Sequence, residues 1–325
     1  MCGPNLVSED DRTRIAAHAA VFHEITRSPF GPDDQIGMLN LLSADAARDI
    51  LHRADGGRAF DLSVDLFMGM PTWTAGGEPP FSIWMVHTPR GSVVDDPVGV
   101  GRAQNELVGW SADAVSMFTH SGTHLDTLNH YGYGTKIWNG FDADDHLGSL
   151  HWTVAGADRQ PPIIARGVMI DVARHHGVDV LPDSYGISSD DLKGAMDAQG
   201  TRIQVGDVVM VRTGRGSLWP DPGGYLPAEP GLTREGAEYL ALAGAAVIGA
   251  DNIALEQLPS TAPDNWMPVH TYLFAEAGIP IMEVVDLEGL AAEECYEFAF
   301  IGACMKIRGA TAGPMRPLAM PLRRD

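Results

Sequence analysis

Apolar positions along this chain fall into two regimes. Residues 61–66, Asp-Leu-Ser-Val-Asp-Leu, alternate polar and apolar side chains, which is the period of a half-buried strand, and another strand is expected over 114–118. Beyond residue 160 the apolar residues come in continuous runs instead. Those at 167–172, 206–212, 246–250 and 279–284 read as buried strands. Segments of helical spacing with recognisable ends lie between them. Ser188 or Ser189 caps one that runs to Gln199, Thr233 caps another that continues through Leu242, and a third, over 270–277, is stopped by Gly278. Residues 297–301 and 305–307 read as late strands. Strands alternating with helices predict an α/β fold. Residues 1–58 read as a helical extension with breaks, in which 45–51 form a short amphipathic helix capped by Ser43. The proline-rich stretch 219–230 is expected to loop over the surface or over a site.

Composition narrows the function classes. The 325 residues are 45% hydrophobic and 20% charged, enough apolar material for a core and too much for a disordered chain. Lys plus Arg is 22 against 43 for Asp plus Glu, a net charge of −21. Such a body repels phosphate backbones and anionic membrane surfaces, so nucleic acid and membrane are set aside as partners. The three cysteines, Cys2, Cys295 and Cys304, make neither a disulfide framework nor a thiolate metal site. They fit a reducing compartment. The N-terminal residues lack the pattern of a secretory signal, and no apolar stretch approaches the ~20 residues of a membrane span. A cytoplasmic protein is expected.

The chemistry concentrates in one run. Of 12 histidines, three fall in His120-Ser-Gly-Thr-His124-Leu-Asp126-Thr-Leu-Asn-His130. Histidine and aspartate are ligands for zinc-like or manganese-like ions. On a helix His120 and His124 would share a face, but Asp126 would lie ~200° round from His124. On an extended strand all three even-numbered positions share a face. Gly122 then falls on that face too, leaving room for an ion or a substrate. A single histidine is usually a hydrogen-bonded core residue; this cluster favours a divalent ion. No phosphate loop competes, because Gly214-Arg-Gly216 lacks the third glycine and the helix start, and Gly223-Gly224 follows a proline in a turn.

At these residues the chain resembles the metal-dependent cyclase/hydrolase family that includes bacterial kynurenine formamidase and isatin hydrolase. The family motif is His-x-Gly-Thr-His-x-Asp-x-Pro-x-His, matched by His120, Gly122, Thr123, His124, Asp126 and His130, with Leu128 in place of the proline. Asp61-Leu-Ser63, Pro71-Thr-Trp73, Gly249-Ala-Asp-Asn252, Pro268-Val-His270 and Gly278-Ile-Pro-Ile-Met-Glu283 resemble further family blocks. Residues 37–42 and 309–317 resemble those of a longer branch.

The resemblance implies a swivelling β/β/α domain over residues 59–325, a central mixed barrel-like sheet with surrounding helices. It implies a divalent ion, Zn or Mn, on His120, His124 and Asp126, and a second on Asp126, His270 and Glu283. His130, not needed as a ligand, is the natural general base. Glu283 lies in an apolar run, where a carboxylate is costly unless paired or bound to metal. Trp73, and the loop from Trp219 to Tyr225, are candidates to stack an aromatic substrate. The implied reaction is hydrolysis of a small amide, formamide, cyclic amide or lactone. A metal-assisted cyclase or dehydratase is the alternative, and a non-catalytic metal-binding protein is a third. The family commonly forms dimers or tetramers, so a homo-oligomer is expected. His175-His176 reads as a solvated pair, and Cys295 and Cys304 as buried and inert.

Overall fold

The computed structural model describes residues 25–226 and 228–323. Cys2 and the first 24 residues of the expected N-terminal extension lie outside them. The described part of that extension contains a 3-10 helix, Gly37–Leu41, and an α-helix, Ala44–Arg53. Ser43 caps the latter by accepting from the Ala46 N–H, and Ile50 packs against Ala299 of the sheet.

Thirteen strands form among the described residues. They are β1 (Phe60–Asp61), β2 (Ser82–His87), β3 (Ala112–Ser116), β4 (His124–Asp126), β5 (Ile163–Asp171), β6 (Gly186–Ile187), β7 (Val208–Arg212), β8 (Gly231–Leu232), β9 (Val247–Ala250), β10 (Ile281–Glu283), β11 (Glu297–Gly302), β12 (Ala312–Pro314) and β13 (Leu318–Pro321). Nine build one mixed sheet in the order β1-β13-β11-β5-β7-β9-β10-β4-β12. The run β5-β7-β9-β10 is parallel, and its flanks are antiparallel. The expected α/β fold with a central mixed sheet and surrounding helices is what forms. β2 and β3 make a separate hairpin, and β6 and β8 a short parallel pair.

Burial on both faces accounts for the continuous apolar runs. Val168, Ile170, Val209, Val211 and Ile248 point into one core, beneath the helices Ser189–Gln199 and Arg234–Ala243. Their neighbours Met169, Val208, Met210 and Val247 point into a second core with Phe298 and Phe300 of β11. Ser188 and Thr233 cap the two helices, and Gly200 and Gly244 end them at positive φ.

Two local expectations need correcting, and the Gly214-Arg-Gly216 loop, set aside as a phosphate loop, turns out to have a structural role. Of the strand expected over 61–66 only Asp61 pairs in the sheet, as part of Phe60–Asp61, and the Val64 N–H bonds the Thr123 hydroxyl instead of a strand. Residues 305–307 are not a strand: the Ile307 N–H turns back onto the Met305 carbonyl. The Gly214-Arg-Gly216 loop binds an anion, but an internal one. The Asp251 carboxylate accepts from the N–H groups of Thr213, Gly214 and Gly216.

Candidate metal-binding active site

β4 lies between β10 and β12 and is antiparallel to both. The register sets Glu283 directly opposite His124, and Ile281 opposite Asp126. Leu125 and Met282 are also opposite one another and point into the second core. The alternation therefore drives an apolar pair inward and leaves His124, Asp126 and Glu283 on the other face. Thr123 ties this ladder to its neighbours, donating to the Val284 carbonyl at 2.5 Å.

His120 is not on the strand. It sits in the turn before β4, and Gly122 makes that turn possible with φ of +59°. A Cβ on Gly122 would strike Leu66, so the glycine does not leave room for an ion or a substrate as its spacing suggested. Its carbonyl has a different role: it accepts from His124 Nδ1 at 2.7 Å. That bond fixes the imidazole so that Nε2 faces the acids. His120 reaches the site from the turn, with Nδ1 2.7 Å from Asp126 Oδ1 and Nε2 2.9 Å from Thr311 Oγ1.

The other expected residues converge on the same place. His124 Nε2 is 3.0 Å from Asp126 Oδ1 and 3.3 Å from Glu283 Oε2. His270 Nε2 is 3.3 Å from Glu283 Oε1, and His130 Nε2 is 3.6 Å from Asp126 Oδ2. Glu283 thus bridges His124 to His270. His120, Asp126 and His130 form one group with ion-holding geometry, and His124, Asp126 and Glu283 another, sharing the aspartate. Asp126 and His124 are fully buried, whereas the His130 side chain is 21% exposed.

These contacts are short, yet His124 Nε2, both Asp126 oxygens and Glu283 Oε1 have no hydrogen-bond partner of acceptable angle. Atoms that lie this close without aiming at each other converge on shared space. Buried charges of this kind are costly unless a cation joins them. Charge balance points the same way. Burial opposes a charge on His124, but Asp126 and Glu283 outweigh it and lift the imidazole to about 10. Burial is likewise outweighed at His270 by Glu256 and Glu283, again giving about 10. Asp126 is held well below the ordinary carboxylate range against its burial by His120, His124 and His130. Burial and the neighbouring His120 hold His130 well below the imidazole range. The nest of acids calls for positive charge, and nitrogen and carboxylate donors suit a zinc-like or manganese-like ion.

Sequence reasoning missed Glu256 and Thr311. Glu256, 1% exposed, accepts from His270 Nδ1 at 2.6 Å and from the His270 N–H at 2.9 Å. It fixes that ring with Nε2 toward Glu283. Its signal was present: a carboxylate inside the apolar stretch 253–258, the argument that singled out Glu283. Thr311 carries no such signal.

A cavity of about 90 Å³ opens beside the cluster, walled by Trp73, Phe118, Tyr131, Ile253 and Met267. Trp73 is therefore where its candidate role requires. The loop from Trp219 to Tyr225 is not. Tyr225 is fully buried with its hydroxyl on the Asp251 carbonyl, and Trp219 packs on it edge-on, behind the Ile253–Ala254 wall. His176 is engaged with Asp191 at 2.8 Å rather than simply solvated. Among the described residues no helix is long and apolar enough to cross a membrane.

Comparison with known proteins bears on this arrangement. A family model described as a putative cyclase matches residues 60–257. A crystal structure of a novel cyclase superposes with a TM-score of 0.79 at 27% identity, covering 90% of this chain and 96% of that one. The isatin hydrolase of Roseibium aggregatum is 26% identical over 207 residues, which is 62% of this chain and 71% of the relative. Isatin hydrolase A from Ralstonia solanacearum shares the fold, with a TM-score of 0.63 at 23% identity over 86% of this chain and 97% of that one.

Proposed function

The chain belongs to the putative cyclase family, and on that premise we propose that it is a metal-dependent hydrolase of a small amide, formamide, cyclic amide or lactone, with an aromatic part. The observation that carries the proposal is the set of unpartnered donor atoms on His124, Asp126 and Glu283 beside an aromatic-walled cavity. His120, His124 and Asp126 would hold one ion, and Asp126, His270 and Glu283 a second; Zn and Mn both suit the donors. Such an ion, when bound, polarises a carbonyl and brings the pKa of a coordinated water to about 7.

The chain's own residues do the rest. Trp73, Phe118 and Tyr131 hold the substrate's flat part and exclude water. His130 borders the cavity and is neutral at neutral pH, so it is able to accept the proton of the attacking water. It then returns that proton to the leaving nitrogen or oxygen. Assembly of the chain as a dimer or tetramer, and a cytoplasmic location, belong to the same proposal.

The test joins metal analysis of chelator-free protein to a screen of formamides, cyclic amides and lactones in isotopically labelled water. One label per product is expected. A product without label would replace hydrolysis by a cyclase or dehydratase reaction. His130→Asn should lower kcat by roughly 10²–10⁴ while metal content stays normal. Loss of the metal in that variant would make His130 a ligand; unchanged rate would remove it from the mechanism.

A further inference from the structure

The cavity of about 90 Å³ is far smaller than the ~300 Å³ or more that encloses a drug-sized ligand. It has room for the reacting carbonyl, and the remainder of a substrate must leave across the rim. Glu78, half-buried, lines the cavity together with Trp73. Its Oε2 accepts the Gly76 N–H at 2.8 Å, which anchors the carboxylate to the rim loop. Among the residues lining the cavity there is no Lys or Arg, and Glu78 is the one acid outside the His/Asp/Glu cluster. No Lys or Arg among the described residues pairs with it. Its charge is felt across the cavity, where it joins burial, Glu256, Glu283 and Asp126 in disfavouring ionisation of the Tyr131 hydroxyl.

A carboxylate lining one cavity with Trp73, Phe118 and Tyr131 makes a site for a cation, since aromatic rings attract it and the acid neutralises it. The same lining offers a substrate anion no Lys or Arg to pair with. We infer that Glu78 selects cationic substrates, namely aromatic amides, formamides or lactones that carry an ammonium group on the side away from the scissile bond. The inference rests on the hydrolase reading for the reaction, but not for the binding preference.

The experiment uses the metal-loaded protein and a matched set of formanilides whose ring carries aminomethyl, hydroxymethyl or carboxymethyl in the para position. The aminomethyl compound should exceed the hydroxymethyl one in kcat/KM by about 5- to 10-fold, mostly through KM, and the carboxymethyl compound should be poorest. Glu78→Gln should bring the first ratio to about 1, and Glu78→Asp, which keeps the charge, should retain part of it. Added salt should erode the preference in the native protein. Preference for the neutral or anionic compound, or a cation preference that survives Glu78→Gln, overturns the inference. Calorimetry with benzylammonium and benzyl alcohol reads the same ratio without turnover. A Glu78-dependent preference there, with neither a formanilide nor any cyclic amide or lactone of the wider screen hydrolysed, would defeat the hydrolase reading and leave this one standing.

Discussion

Two buried charge clusters in this protein solve the same problem differently. At the carboxyl ends of β5 and β7, Arg212 donates to Asp171 at 3.0 Å, to both oxygens of Glu288 at 2.9 Å, and to the Asp179 carbonyl. Asp171 also caps the following turn by accepting the Arg174 N–H. The arginine is nearly saturated, and it lines a hollow together with Asp171 and Glu288. Across the sheet, around β4, the acids outnumber the fixed cations, and four atoms of three side chains have no partner. The first cluster is closed by its own arginine, with a single Asp171 oxygen left unpartnered, and is architecture. The second is left open, and a cation from outside the chain is what it lacks. Burial alone therefore does not mark a site; several unpartnered acid and imidazole atoms converging on one point do.

The sharpest break of this contrast is His124→Ala. Its ring lies in the middle of the open cluster, between Asp126 and Glu283, and its backbone is held by both neighbouring strands. Metal content should fall to background and turnover should vanish, with circular dichroism unchanged. Full activity without bound metal would refute the assignment.

Arg212→Met is the converse. It leaves Asp171, whose side chain is fully buried, with only the more distant Arg174, at 3.9 Å, in place of Arg212 at 3.0 Å. Such a removal should cost about 3 kcal/mol of stability in denaturant titration. Metal stoichiometry should not change, and a loss of metal would show that the two clusters are coupled.

The contrast also separates what the sequence could reveal from what it could not. The parallel core was legible because β5, β7 and β9 are buried on both faces, and a short continuous apolar run between turn signals is the mark of such a strand. Helix ends were legible through Ser188, Thr233 and Gly278, whose side-chain or backbone chemistry is local. β12 and β13 were not, since Ala-Gly-Pro and Leu-Ala-Met-Pro form strands only because β4 and β11 offer them edges. The same holds for the site. The motif around His124 was visible, but its geometry was wrong in one respect. His120 comes from a left-handed turn at Gly122 rather than from an extended face, a distinction that spacing cannot make. Thr311 meets His120 across 191 positions, which no local pattern encodes.

Glu256 sharpens the comparison by a smaller step. Unlike Asp171 it has no arginine; it is satisfied by His270 and two backbone N–H groups. Glu256→Gln keeps the size and loses the charge that fixes the ring. Metal affinity, read by competition with a chelating dye, should weaken by about 10–100-fold. The loss should fall on one ion if two are bound. Unchanged affinity would make Glu256 a helix-start residue only.

The smallest effect is in the pH dependence of stability. In metal-free protein His124 and His270 are lifted from 6.5 to about 10. A raised imidazole stabilises the fold fully below its unfolded pKa, and the contribution is lost as pH rises through the folded value. Metal-free protein should therefore lose stability between pH 6.5 and about 10 on their account. His130 is held low and acts in the opposite sense, but only where an unfolded imidazole takes up protons, below about pH 6.5. Above 6.5 that opposing contribution is gone. An ion binds the deprotonated rings, so its stabilisation should grow across that same window as fewer protons need be displaced. The gap in Tm between metal-loaded and chelator-treated protein should widen by roughly 2 °C per pH unit for each proton displaced. Arg212→Met should lower both curves without changing the gap, because the closed cluster exchanges no proton with an ion. A gap independent of pH would mean that the cation enters beside the imidazoles rather than in place of their protons.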